Sequence, residues 1–438
     1  MTVREIALKL LMELEADGKY ANLSLSSGIV RSLDERERAW LTVLFYTTLE
    51  HKLTYDYIIS ALAKREIGKI DLRTKNILRL GMCQVLHITG VPDFAAVSET
   101  VALARHKGEG GFVNGILRSL LRARDKGEIP MPKREKSVAR FLSVKYSYPL
   151  WLVKHFISVF GEEECERLLD YYNTERYTDL TVNTTKISVE DFLTRLKDSG
   201  FTAELSKRVS QSVRISTSYD PRVLPGFDDG CFFVQDEACL VSASVLDTKE
   251  GMRVLDACSA PGGKSFSVAI LTSDKADITS ADIHESKLSL IESGASRLGL
   301  RSVRVTSRDA SVIHTEEERQ YDRVLCDVPC SGLGVLGKKP DLRYRSEESI
   351  KGLPELQYSI LESSAHTLKS GGILVYSTCT LNPEENEGVV KHFLSENSDF
   401  SPIDFTVGDL SSVGGTLTLI PSVHKTDGFF IAKLRKDI

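Results

Sequence analysis

The chain has 438 residues, 42% apolar and 27% charged, the composition of a soluble globular protein long enough for two to four domains. No stretch of about 18 apolar residues occurs, and charges interrupt the apolar pattern of residues 1–20, so neither a membrane span nor a secretory leader is expected and the protein should be cytoplasmic. The net charge of −5 argues against a simple nucleic-acid binder, but it is unevenly spread: residues 1–140 hold 23 basic and 17 acidic residues, the remainder 33 and 44.

Val3, Ile6, Leu10, Leu11 and Leu14 fall on one helical face, preceded by Thr2 and Glu5 at capping-box spacing. The same period recurs over 35–62, 71–88, 95–106 and 111–125, so residues 1–138 read as an all-helical domain. Eight basic residues stand against three acidic ones between 118 and 140, where Pro130 and Pro132 break the helix. Residues 139–231 read as a helical linker and a small α+β module. Helices are expected within 148–174, a strand at 180–185, a helix over 189–200 stopped by Gly200, and short strands near 202–205 and 212–216. From 232 to 438 the pattern is strand–helix alternation. RVLDAC (253–258), ADITSADI (276–283), SVRVTSRD (302–309), YDRVLCDV (321–328) and GGILVYSTC (371–379) are the strands of a parallel, doubly wound, Rossmann-like α/β domain.

The first of these strands runs into DACSAPGGKS, where Gly262 and Gly263 permit a tight turn and close approach of backbone to a ligand, with a helix starting near Lys264. Asp282, about 20 residues beyond Gly262, ends the second strand, where an acid takes ribose hydroxyls in doubly wound nucleotide sites. Asp309 and Asp327 end the third and fourth. Acids at successive strand ends converge on one crevice, and without a GxGxxG pattern an adenosine cofactor other than a dinucleotide is favoured.

Eight cysteines occur, at 83, 165, 231, 239, 258, 326, 330 and 379, with no CxxC pair, and nine histidines show no ligand spacing. Neither a disulfide framework nor a metal site is expected. Cys83, Cys165, Cys231, Cys239 and Cys326 read as packing residues. Cys330, on the rigid DVPCSGLG loop past strand four, and Cys379, at the tip of strand five, stand at the cofactor edge of the sheet. Two thiols there suit a reaction in which a thiolate adds to carbon-6 of a cytosine and makes carbon-5 an enamine able to take a methyl group. Asp327 is placed to bond the base, and the base must be out of its stack.

DACSAPGGK, DVPCSG and YSTCTLNPEENE, with VQDEA (234–238) and DGFFIAKL (427–434), together resemble the RNA 5-methylcytosine methyltransferases over residues 232–438. The resemblance implies S-adenosylmethionine as cofactor, held by Cys258, Ser259, Ala260, Pro261, Gly262, Gly263, Lys264, Asp282, Asp309 and Asp327. It makes Cys379 the nucleophile and Cys330 the thiol that assists product release, with Lys264 and Asp327 facing the base. In related DNA enzymes the two cysteines exchange roles. Against the family pattern, Val328 replaces alanine, Leu333 threonine, Thr380 serine and Tyr344 tryptophan; Val328 and Leu333 are expected to alter the base pocket. Lys338, Lys339, Arg343 and Arg345 read as phosphate contacts. Residues 96–122 resemble the NusB antitermination family, which implies an RNA-binding helical domain including Arg118 and Arg122. The combination resembles the bacterial 16S ribosomal RNA methyltransferases, so the expected partner is small-subunit ribosomal RNA (nucleotide 967 by the resemblance), with no membrane, no metal and a monomeric enzyme. The alternatives are the same chemistry on transfer RNA, and a non-catalytic RNA-binding or ribosome-assembly protein.

Overall fold

The computed structural model describes residues 1–17, 25, 27–174, 177–216 and 220–437. The chain forms two compact units, Met1–Asn173 with Leu336–Glu347, and Thr174–Val335 with Glu348–Ile438. Among the described residues no helix is long and apolar enough to cross a membrane.

The first unit is helical. Helix α1 (Val3–Asp17) opens with the expected capping box: Glu5 N donates to Thr2 Oγ1 at 3.2 Å, and Thr2 N to Glu5 Oε2 at 2.7 Å. Ile6, Leu10 and Leu11 are buried as expected, and Ala7 and Leu8 with them. A short helix, α2 (Gly28–Arg31), follows. The run 35–62 is two helices, α3 (Glu35–Glu50) and α4 (Lys52–Ala63), meeting at His51. Helix α5 (Leu72–Leu86) is the axis of the unit, buried at every residue from Asn76 to Val85. Around it pack α1, α3, α4, α6 (Asp93–Val101) and α7 (Lys107–Asp125); α8 (Val138–Tyr146) packs on α4, and α9 (Leu150–Thr174) follows, kinked at Gly161, where φ is +81°.

A cation sits inside that axis. Arg79, 2% exposed, makes a two-pronged ion pair with Asp56 at 2.6 and 2.7 Å and reaches Glu15 at 2.6 Å. Burial raises the Glu15 pKa, but Arg79 and Lys52 and the hydrogen bonds from Lys75 and Arg79 outweigh it and hold the group down at about 2. Folding therefore depresses this acid, and its stabilisation is present above the ordinary carboxyl range and lost as pH falls toward about 2. Arg79→Ala strips Asp56 of its two-pronged partner and leaves Glu15 to Lys75, and is expected to cost about 3–5 kcal/mol. Urea titration of the full chain at neutral pH checks it.

The second unit contains two sheets. Strands β1 (Thr178–Val182), β2 (Ala203–Leu205), β3 (Ser212–Ile215) and β4 (Phe232–Val234) form an antiparallel sheet in the order β2-β3-β1-β4. Helix α10 (Val189–Asp198) covers it, burying Val189, Phe192 and Leu196 with Leu180, Val213 and Phe232.

The larger sheet holds the five expected strands: β5 (Arg253–Asp256), β6 (Asp277–Asp282), β7 (Val303–Ser307), β8 (Tyr321–Asp327) and β9 (Leu368–Thr378). They run parallel in the order β9-β8-β5-β6-β7. Val254 and Leu325 bury one face and Leu255, Val324 and Cys326 the other, as a two-residue period demands for a sheet covered on both sides. Helices α11 (Glu237–Val245), α12 (Gly263–Leu271), α13 (Glu285–Leu298), α14 (Leu353–His366) and α15 (Glu387–Glu396) belong to this unit. The sheet is mixed rather than purely parallel. Beyond α15, β10 (Phe400–Pro402), β13 (Thr416–Leu419) and β14 (Phe429–Lys436) extend it, with β14 antiparallel to β9; β11 (Thr406–Val407) and β12 (Leu410–Ser411) make a separate hairpin. Strand order reverses between β5 and β8, so the crevice for a ligand opens at their carboxyl ends.

Candidate active site

At that reversal β5 ends in Asp256 and the chain turns through 257–262 into α12. Gly262 has φ +108°, and a Cβ there would collide with the Phe266 ring, so the turn requires glycine twice over. The loop is tied to β6: Ser259 N donates to Ala281 O at 2.8 Å and Ala260 N to Asp282 Oδ2 at 3.2 Å. Asp282 also accepts from His284 N at 2.9 Å, and Ile283 beside it is 53% exposed. Asp309 lies just past β7, its carboxyl pKa lowered by hydrogen bonds from Ser311 Oγ (2.6 Å) and N (2.9 Å).

Asp256, unlike these, is sealed in. It is 1% exposed, accepts from Ser265 Oγ at 2.6 Å, and its Oδ1 has no partner among the described residues. Burial pushes its pKa up to about 7.

Strand β8 delivers Asp327 and, three residues on, Cys330; the neighbouring β9 delivers Ser377 and Cys379. The two sulfurs are 3.3 Å apart. Lys264 Nζ lies 2.5 Å from Asp327 Oδ2, 3.5 Å from Cys239 Sγ and 5.1 Å from the Phe429 ring centre. Ser377 Oγ donates to Asp327 Oδ1 at 2.9 Å. Burial works against the Lys264 charge, but Asp327 outweighs it and holds the ammonium above its ordinary range. The contact with Cys379, then burial, push the Cys330 thiol well up. Asp327 keeps 29% of its side chain exposed, so one carboxylate remains open beside a fixed cation and two thiols.

The structure thus brings Cys330, Cys379, Asp327 and Lys264 into one cluster, at the carboxyl ends of the strands that also present the glycine loop and Asp282. Cys83, Cys165, Cys231 and Cys326 are buried, as packing residues should be; Cys239 is half-buried beneath Lys264. Val328 and Leu333 are 4% and 0% exposed, so they pack in the interior rather than line an open pocket.

The basic segment needs correction. Arg343 is no phosphate contact: it is fully buried, its guanidinium 4.3 Å from the Tyr148 ring centre, donating to Leu336 O and Glu50 O at 3.2 and 3.3 Å. Tyr344 OH donates to Leu49 O at 2.6 Å, so residues 336–347 are part of the helical unit's packing. Lys338 and Lys339 are exposed and Arg345 is half-buried. Arg118 and Arg122 are exposed on α7, Arg122 bonding Ser119 Oγ. The sequence reading missed Ser377 and the sealing of Asp256. The Ser377 signal was available, two residues before Cys379 on a strand whose neighbour ends in an acid.

A doubly wound sheet with a glycine loop, strand-end acids and a thiol pair at the reversal defines a nucleoside-cofactor methyltransferase. Residues 243–435 match the family described as 16S rRNA methyltransferase RsmB/F, residues 1–122 the NusB family, and residues 148–221 the ferredoxin-like domain of RsmF/B-like methyltransferases. The chain is 36% identical to a probable ribosomal RNA small subunit methyltransferase B of Bacillus subtilis, over 99% of each chain, and 34% identical to its counterpart in Synechocystis, over the whole of both. Among solved structures, that of PH0851 superposes with a TM-score of 0.81 at 26% identity, over 100% of this chain and 99% of that one. The chain belongs to the ribosomal RNA small subunit methyltransferase B family, RNA methyltransferases that use S-adenosylmethionine.

The raised Asp256 pKa has a measurable consequence. Between about pH 4 and about pH 7 the folded chain keeps a proton that the unfolded chain releases, so this residue makes stability fall as pH rises through that window. Asp256→Asn is expected to flatten that fall, which urea titrations of both proteins at pH 5 and pH 8 would reveal.

Proposed function

We propose that the protein methylates carbon-5 of a cytosine in 16S ribosomal RNA, nucleotide 967 by family resemblance, through a covalent Cys379 adduct. The observation that carries this is the 3.3 Å approach of the Cys330 and Cys379 sulfurs beside the Lys264–Asp327 pair. A sulfur is the nucleophile that can add to the ring of an extruded pyrimidine, and both thiols and Asp327 keep part of their surface exposed.

The residues present suit S-adenosylmethionine. Asp282 keeps acceptor capacity for ribose hydroxyls beyond its two backbone bonds, and the exposed apolar Ile283 next to it offers a surface for adenine. Gly262 and Gly263 let the backbone come close to the ligand. When bound, that cofactor supplies an electrophilic methyl group.

The chain's own groups do the rest. Cys379, as thiolate, adds to carbon-6, and electron density reaches carbon-5. Asp327 accepts hydrogen bonds from the base and orients it, while Lys264 fixes Asp327 and contributes positive charge where the ring gains electrons. After methyl transfer the carbon-5 proton leaves to a base, the carbon–sulfur bond breaks, and Cys379 departs as thiolate. Cys330, with a pKa held high, carries a proton at hydrogen-bonding distance and neutralises that departing sulfur. Exposed Lys338, Lys339, Arg118 and Arg122 and the half-buried Arg345 are suited to phosphate contacts, each expected to contribute about one unit to the salt slope of RNA binding.

Cys379→Ala is expected to lower methyl transfer by at least about 10³-fold while leaving cofactor binding intact. Cys330→Ala should accumulate a covalent protein–RNA complex, visible as a slow band on denaturing gels. Full activity of the Cys379 variant would end the assignment. Bisulfite sequencing of ribosomal and transfer RNA from cells lacking the gene tests the substrate: loss of a 16S signal is expected, and a loss confined to transfer RNA would redirect it.

A further inference from the structure

The NPEENE run after Cys379 places a carboxylate where an exposed loop would be expected. Glu385 is 0% exposed. Its Oε2 accepts from Ser331 N at 2.8 Å and Gln357 Nε2 at 2.9 Å; its Oε1 accepts from Ser331 Oγ at 2.5 Å and Asn382 Nδ2 at 3.0 Å. Ser331 follows Cys330 directly, and its Oγ is also 2.6 Å from the hydroxyl of Thr380, which follows Cys379 directly. Gln357 Nε2 bonds Pro329 O at 2.9 Å, so the residues on both sides of Cys330 reach the same carboxylate, one directly and one through α14. Asn386 acts likewise on Cys379: Thr378 Oγ1 donates to Asn386 Oδ1 at 2.6 Å, and Asn386 Nδ2 donates to Thr380 O at 3.0 Å. A third tie is backbone to backbone, Gly334 N to Cys379 O at 2.9 Å, at a glycine where any Cβ would collide with Gly428 O.

These bonds have a common consequence. Cys330 is on a loop and Cys379 at a strand tip, 49 residues apart in sequence. Two free loop ends would not hold two sulfurs at one spacing through a reaction in which one sulfur swings onto a base and back. A buried acceptor with donors on both loops does, because separating the loops would strand it without water. We propose that Glu385 is a positioning residue that sets the Cys330–Cys379 spacing, and hence the efficiency with which the adduct is resolved. This rests on the methyl-transfer reading of the two thiols.

The proposal has two independent readouts in the full chain. The first is spacing without RNA. The diazene oxidant diamide takes two electrons and two protons from a thiol pair, becoming a hydrazine as the sulfurs bond. From 3.3 Å to a disulfide of about 2 Å is a small movement in the wild type, so Cys330 and Cys379 should cross-link readily, as peptide mass mapping would show. Glu385→Gln keeps the shape but puts an amide NH₂ against existing donors on either side; it should slow this cross-link tenfold or more. The second readout is kinetic. The same variant should lose tenfold or more in kcat and accumulate covalent RNA adduct, while KM for a 16S hairpin RNA and Kd for S-adenosylmethionine stay within twofold, a split that general loosening of the fold would not give. Unchanged cross-linking and kcat in a folded variant, or a wild type whose two thiols do not cross-link, overturns the proposal. If Glu385→Gln does not fold, Ser331→Ala decides, since it removes one donor and leaves the carboxylate: a threefold or larger fall in both rates supports the proposal, and wild-type rates overturn it. A Cys330→Ala variant that accumulates no RNA adduct refutes the methyl-transfer reading, while the diamide measurement on the wild type still decides whether Glu385 sets the spacing.

Discussion

Parallel pairing of β8 with β9 is the constraint on which the site depends. The register sets Cys326 opposite Tyr376 and Asp327 opposite Ser377, so the two strands end level. A slip of one residue would turn Asp327 toward the other face and take Cys379 out of reach of Cys330. That register is protected by burial on both sides of the sheet, where Leu325 and Val375 pack on one face and Val324, Cys326, Leu374 and Tyr376 on the other. Apolar packing thereby determines where four reactive or polar groups meet, although none of those apolar residues touches a substrate.

The polar groups at the strand ends are treated differently according to their task. Asp256 is buried with a single serine donor and holds a proton near neutrality, which suits a group beneath the loop rather than at the chemistry. Asp327 is paired with Lys264 and partly exposed, so its charge is compensated on one side and available on the other. Glu385 is buried as deeply as Asp256 but surrounded by donors, and so serves as a brace. Burial alone would not distinguish these three acids; the count and direction of donors does.

Much of this was legible in the sequence for physical reasons. The five parallel strands stand out because strands covered on both faces become apolar runs, and the strand-end acids and the glycine turn sit at fixed points on such runs. The thiol pair followed from placing two cysteines at the ends of strands four and five. Strand β14 was not legible as an antiparallel partner of β9, because FFIAKLRK reports burial but not direction, and β10 and β13 are too short to carry a period. His51 is an ordinary residue for a helix, so the break between α3 and α4 has no local signal. Arg343, in a run of basic residues, reads as solvated; its burial under Tyr148 is a fact of tertiary packing alone. Glu385 was hidden in the same way, since an acidic run beside proline resembles a surface turn.

The division of labour between the sulfurs is the central claim, and the site of covalent attachment tests it most directly. RNA carrying 5-fluorocytidine at the target position accepts the methyl group but has no carbon-5 proton to lose, so the adduct persists and can be digested and mapped by mass spectrometry. The account predicts the nucleotide on the peptide containing Cys379, with Cys330 unmodified. Attachment to Cys330 would contradict it.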